Sequence, residues 1–168
     1  MARPFSPDTK EDVMAEMEKS IEVDAPLREV YNQWTQFEEF PQFMEGIVEV
    51  RQIDDKRLFW RANVAGAERE WHAEITDQTP DTRIAWKSLT GAENGGAVLF
   101  DACQDGKTKV TMRMQYNPEG FTENVGDALG FVGRRVQGDL ERFRDLIEER
   151  GRASGGWRGE IHGSEVLR

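Results

Sequence analysis

The stretch Ile21–Val50, IEVDAPLREVYNQWTQFEEFPQFMEGIVEV, changes its hydrophobic period several times. Its first residues close the run MEKSIEV (Met17–Val23), which alternates with period two and reads as a strand. DAPLREVYNQW then sets Leu27, Val30, Tyr31 and Trp34 on one face of a helix, with Asp24 as its cap and Pro26 in its first turn. From Trp34 onward a ring recurs at every third position, Trp34, Phe37, Phe40 and Phe43, and Glu38, Glu39 and Glu45 take the other side. A period of three suits a short helix or a 3₁₀ turn, and proline does not sit deep inside a long helix. Two short helical pieces with a bend near Phe40–Pro41 are therefore expected, closed by Gly46. The four rings either plug a core or roof a cavity.

A series of strand signals follows: IVEVRQI, LFWRANV, REWHAEIT, RIAWKSL, AVLFDAC and TKVTMRMQY, separated by turns rich in Gly, Asp and Asn. Short strands with such turns form antiparallel hairpins, and the first strand brings the expected number to seven. Alternation assigns Val48, Val50, Leu58, Trp60, Ala62, Val64, Trp71, Ala73, Ile75, Ile84, Trp86, Val98, Phe100, Val110, Met112, Met114 and Tyr116 to one face. Glu49, Arg51, Arg61, Glu70, His72, Glu74, Lys87, Asp101, Lys109, Thr111 and Arg113 fall on the other. Such a sheet is wet on one side and needs a partner on the other.

The last third supplies it. Phe121, Val125, Leu129, Val132, Val136, Leu140, Phe143 and Ile147 recur in steps of three and four, with Ala128 and Leu146 beside them, which predicts one long amphipathic helix from about Phe121 to Arg150, ended by Gly151. Gly120, Gly126, Gly130, Gly133 and Gly138 lie in or near its first half, where each costs about 1 kcal/mol against alanine. They signal close backbone approach or open space. The domain is thus expected over 15–151, with a flexible segment at 1–14 and a flexible, Gly-rich tail at 152–168 whose removal leaves folding intact.

A net charge of −10 opposes a nucleic-acid surface and anionic lipid. No apolar run approaches the roughly 20 residues of a membrane span, so no membrane insertion is expected. MARPFSPDTKEDVMAEM lacks the apolar core of a secretory leader and Cys103 is the lone cysteine, which points to the cytoplasm.

The order strand, two short helices, six antiparallel strands and a long C-terminal helix resembles the α+β helix-grip fold of the START and birch-pollen-allergen (SRPBCC) superfamily. More narrowly it resembles the bacterial polyketide cyclase/dehydrase and lipid-transport branch, from about Met17 to Gly151. The residues that carry the likeness are Ile21–Val50, with its VDAP…VY…W…F…FP.F pattern, and VGRRVQGDLERFRDLIEER in the final helix. The tail motif GGWRGEI, Gly155–Ile161, also resembles that of uncharacterised members. The resemblance implies a curved sheet gripping the long helix, with a pocket between them for a hydrophobic small molecule of polyketide, quinone or lipid type. Ligand-binding residues are then expected among Trp34, Phe37, Phe40, Phe43, Trp60, Trp71, Trp86, Phe100, Met112, Met114, Tyr116, Leu129, Val132 and Arg135. An aromatase/cyclase that folds a polyketide on a template is one alternative. A protein–protein module using the acidic surface and the tail is another.

Other chemistry finds little footing. His72 opens HAE, but a zinc deaminase needs paired cysteines as well, and His162 lies in the tail, so no metal is expected. GAENGG (91–96) has glycines but no GK[ST] and opens no helix, which makes it a hairpin loop rather than a phosphate cradle. No cofactor is implied. There is no G-x-S-x-G elbow, and Cys103 has no evident histidine partner. Ser88, Lys19 and Tyr116 fall inward by alternation, and Arg134 or Arg135 flanks Phe131 near the cavity rim or pairs with surface acids. No catalytic set can be assigned residue by residue.

Overall fold

The computed structural model describes residues 14–64, 66–91, 93–117 and 125–168, without the side chains of 125–129. The elements run β1 (Ala15–Val23), α1 (Leu27–Trp34), a 3₁₀ helix (Phe37–Gln42), β2 (Ile47–Gln52), β3 (Arg57–Val64), β4 (Ala67–Thr79), β5 (Arg83–Ser88) and β6 (Asn94–Ala102). They continue with β7 (Thr108–Tyr116), α2 (Val125–Arg150), β8 (Glu160–His162) and β9 (Glu165–Leu167). The expected start of the long helix at Phe121 lies outside the described residues, as do the expected flexible residues 1–13. Strands pair in the order β1-β7-β6-β5-β4-β3-β2, every pair antiparallel, with α2 against β1 and the 3₁₀ helix against β2. This is the expected sheet around a long helix, with two strands more than the seven anticipated.

The helical break does not fall at Phe40–Pro41. α1 ends at Trp34, and Phe37–Gln42 continues as one 3₁₀ helix with Pro41 inside it. A 3₁₀ helix this short tolerates the proline, and its three-residue turn stacks Phe37 and Phe40 on one face. Pro26, not Asp24, stands at the N-cap, and its carbonyl accepts from Val30 N–H at 3.0 Å.

Two bulges correct the simple alternation. In β2, Ile47 sits opposite Ala62 and Glu49 opposite Arg61, so Val48 is the extra residue. It points outward and is 49% exposed, whereas Ile47 and Val50 face in. In β4, Ile75 opposes Trp86 and Asp77 opposes Ala85, which leaves Thr76 extra and turns Gln78 inward. Buried there, Gln78 Nε2 donates to the Tyr31 hydroxyl at 3.1 Å. Burial pushes the Tyr31 phenol up to about 12, against the pull of that hydrogen bond. Thr111, expected on the wet face, is also buried, flanked in register by Ser20 of β1 and Leu99 of β6 on a central strand.

The tail is not a flexible extension. After Gly151, whose φ of 76° and N–H bond to Ile147 C=O stop α2, the chain crosses the outer side of α1. Ala153 N–H donates to Glu29 Oε1 at 2.8 Å, Ser154 N–H to Gln33 Oε1 at 2.9 Å and Trp157 N–H to the Thr35 hydroxyl at 3.1 Å. Burial alone would raise the Glu39 carboxyl, but hydrogen bonds from Ser154 and Arg150 more than offset it and hold it below the usual range. Arg158 bridges Asn32 and Asp81, each at 2.7 Å, and lies over the Tyr31 ring. β8 then pairs with β4 at Asp77 and Gln78, beyond the point where β3 stops pairing with β4 at Arg57. Ile161 is fully buried. Ending the chain at Gly151 is therefore predicted to cost more than about 2 kcal/mol in urea unfolding, because the burial of Ile161 and of part of Trp157 is lost and the apolar surface they cover is opened to water. An unchanged midpoint would contradict the docked tail.

Candidate functional site

Between the inner face of the sheet, α2 and the 3₁₀ helix lies a cavity of about 180 Å³. Its sheet wall is built from alternate residues, as period two requires: Leu58, Trp60, Ala62 and Val64; Trp71, Ala73 and Ile75; Ile84 and Trp86; Val98; Met112 and Met114. Trp34, Phe37, Phe40, Met44 and Ile47 close the side near α1 and β2. α2 contributes Phe131, Val132, Val136 and Leu140 from one face, and Arg135 and Asp139 from the stripe beside it.

Three of the four rings around Trp34 meet it edge to face, and Phe40 is tilted against it. Trp34 has Phe40 at 5.5 Å, Phe43 at 5.7 Å, Phe100 at 6.3 Å and Phe143 at 4.8 Å between centroids. Phe40 reaches Trp60 at 5.6 Å, and Trp60 stacks on Trp71 at 5.7 Å with only 7° between planes. Within the wall, Trp34, Phe40, Trp60 and Trp71 thus form one continuous run of rings. Trp86 is fixed by a hydrogen bond from its Nε1 to Asn94 Oδ1 at 3.0 Å, while Trp60 Nε1 is buried and has no partner among the described residues.

Charge enters at one end. Arg135 Nη1 donates to the Glu45 carbonyl at 2.6 Å, and its Nε lies 3.5 Å from the Glu45 carboxylate. The guanidinium rests over the Phe131 ring, 4.7 Å from its centroid. Gly46 makes this approach possible: its φ is 85°, and a Cβ there would come within 2.2 Å of Arg135 Nη1. Asp139 Oδ1 accepts from Glu45 N–H at 3.0 Å and from Arg142 Nη2 at 2.6 Å. Arg142 Nε in turn holds the Phe43 carbonyl at 2.8 Å. The Glu45 side chain is 68% exposed and that of Asp139 only 14%, so the charged end is where the cavity meets water.

The sequence expectations for individual residues divide as follows. Trp34, Phe37, Phe40, Trp60, Trp71, Trp86, Met112, Met114, Val132 and Arg135 all reach the cavity wall. Phe43, Phe100 and Tyr116 do not; they are buried in filled core, Phe43 against Phe143 and Phe100 against Tyr31. Burial pushes the Tyr116 phenol up. The Leu129 side chain lies outside the described residues. Arg135, rather than exposed Arg134, is the arginine beside Phe131, and it serves both the rim and an acid. Ser88 Oγ accepts from Asn94 N–H, and the Lys19 stem packs toward Gly133. Gly130, Gly133 and Gly138 are absent from the wall, so open space is not what these glycines provide.

Sequence reading missed Asp139, Glu45, Met44 and Asn94. Asp139 had a visible signal. Arg135, Asp139 and Arg142 are spaced by four and three, a polar stripe directly beside Val132, Val136, Leu140 and Phe143.

Residues 23–144 match the family model described as polyketide cyclase / dehydrase and lipid transport. The chain belongs to that family. It is 50% identical over 149 residues to an uncharacterised 17.2 kDa protein in the melC2-rnhH intergenic region of Streptomyces lincolnensis, covering 88% of this chain and 99% of that one. Among solved structures it is similar to the Zhui aromatase/cyclase of Streptomyces sp. R1128, with a TM-score of 0.71 and 17% identity over 86% of this chain and 100% of that one. It is also similar to a START superfamily protein from Mycobacterium smegmatis, with a TM-score of 0.60 and 12% identity over 76% and 97% of the two chains. At these identities the two structures speak for the fold, the helix grip anticipated above.

Burial outweighs the nearby guanidinium of Arg142 and raises the Asp139 carboxyl from 3.8 to about 6. The folded protein therefore holds this proton more tightly than the unfolded chain does. Stability tied to the group is largest below pH 4 and is lost as pH rises through 6. Asp139→Asn, whose Oδ1 can keep both bonds, escapes that loss. From pH 4 to pH 7.5 the variant should gain up to about 3 kcal/mol relative to the parent in urea unfolding. A difference independent of pH would contradict the buried carboxyl.

Proposed function

We propose that this protein takes a compact, ring-bearing apolar molecule into the cavity and holds it away from water. The observation that carries this reading is a void of about 180 Å³ walled by tryptophan, phenylalanine and methionine, with charge confined to one end. Size narrows the ligand. An apolar void of about 150 Å³ admits benzene, whereas pockets for drug-sized ligands span about 300–1,000 Å³. One or two rings therefore fit inside, and a long acyl or isoprenoid chain would have to run out through the opening. Family membership supports the reading, since the matched description covers both cyclase and lipid-transport proteins.

A second reading, acid–base chemistry on the bound ring, is favoured by Asp139. A carboxyl raised to about 6 at the wall of an apolar cavity is suited to exchanging protons near neutral pH. The partner-recruitment alternative loses its main support, because Trp157 and Arg158 of the tail are engaged on the protein's own α1.

Naphthalene binding, followed by quenching of tryptophan fluorescence, tests the carrier reading. Saturable binding is expected in the parent. Val132→Phe should weaken it about tenfold while changing stability by less than about 1 kcal/mol, because the ring enters open space. In a filled core the same change overpacks and costs about 1–3 kcal/mol. That cost, together with no binding by the parent, would remove the proposal.

A further inference from the structure

We propose that the cavity selects a small aromatic molecule that carries an uncharged hydrogen-bond donor, a phenolic or similar hydroxyl, and binds it with that group on the free oxygen of Asp139. This rests on the carrier reading above and adds what that reading leaves open, the polar chemistry and orientation of the ligand.

Three observations support it. The first is the scarcity of polar groups. Apart from the tryptophan indoles, whose N–H groups only donate, and Asn94, whose Oδ1 is occupied by Trp86, the polar wall residues are Glu45, Arg135 and Asp139, all at the open end. The second is the state of Asp139. Both of its hydrogen bonds, from Glu45 N–H and from Arg142, fall on Oδ1, and Oδ2 carries none among the described residues. An ionised carboxylate only accepts, so a ligand meeting Oδ2 must donate. Burial places its titration near 6, so the ionised form dominates at pH 7.5.

The third is local charge balance. The groups facing Asp139 are Arg135 and Arg142 from its own helix and Glu45 from the turn before β2. Two guanidinium groups and two carboxylates cancel. Arg135 is already committed to the Glu45 carbonyl and carboxylate, and Arg142 to Asp139 and the Phe43 carbonyl. A ligand carboxylate would therefore meet Asp139 and Glu45 with no uncommitted cation beside them among the described residues, and a ligand ammonium would leave an apolar wall to bury a charge. A neutral hydroxyl has neither cost.

Equilibrium dialysis of the full chain at pH 7.5 against four probes of one ring system tests this: naphthalene, 2-naphthol, 2-methoxynaphthalene and 2-naphthoate. 2-Naphthol should bind about tenfold or more tighter than naphthalene, as expected for a hydrogen bond to a charged acceptor. 2-Methoxynaphthalene keeps the oxygen but cannot donate, and should bind no better than naphthalene; 2-naphthoate should bind worst. In Asp139→Asn, which can present an N–H where Oδ2 stood, the preference for 2-naphthol over 2-methoxynaphthalene should fall to within about threefold. The parent comparison stands alone if that variant does not fold. Equal binding of the three neutral probes, or best binding of 2-naphthoate, overturns the donor inference and leaves the carrier reading intact. If none of the four binds, both are overturned.

Discussion

The interior depends on where Trp34 is held. As the last residue of α1 it meets Phe43, Phe100 and Phe143 on its core side and Phe40 toward the cavity, four rings within 6.3 Å. Filled core and void meet at this one side chain. A helix ending one residue earlier, or a longer link to the 3₁₀ segment, would swing Phe37 and Phe40 off the wall. The chain fixes that geometry from outside as well as inside. Thr35, the residue after Trp34, uses its hydroxyl to bond Asn32 C=O at 2.6 Å and accepts Trp157 N–H from the tail.

The tail therefore belongs to the cavity's architecture although none of its residues lines the void. Arg150, Ser154 and Trp157 tie the end of α2 and the tail to Gln33, Thr35 and Glu39, and β8 extends the sheet along β4. The helical roof is held between an aromatic core below and a polar strap above. Within the roof, Gln78 and Tyr31 add a buried hydrogen bond from β4 to α1. Rigid walls of this kind let a cavity survive the tendency of an apolar interior to collapse and fill.

Most of the fold was legible because period two and period 3.6 are strong signals over the six hairpin strands and the α2 stripe. What failed did so for local reasons. Val48 read as inward because alternation cannot reveal a bulge, and the bulge follows from the pairing of β2 with β3. The tail read as flexible because glycine ordinarily signals freedom. Here Gly155 and Gly156 are where the backbone presses on α1: a Cβ at either would come within 2.8 Å of Gln36 or Asn32. The cavity wall was largely visible in the inward rings, yet the separation of Phe43 and Phe100 from Phe37 and Phe40 was not. That division depends on how far the sheet curves away from α2, which no side-chain period encodes.

The charged rim shows the same limit from the other direction. In sequence Arg135 and Asp139 are a polar stripe beside the apolar face of α2, and only the turn at Gly46 brings Glu45 across to them. All of the functional reading rests on the interior being open rather than filled, and xenon is the most direct probe of that. A crystal of the protein pressurised with xenon should show a bound atom among Trp60, Trp86 and Val136, since dry apolar voids of this size take up the gas. Tryptophan and methionine side chains closed over that position, with no xenon density, would contradict the account.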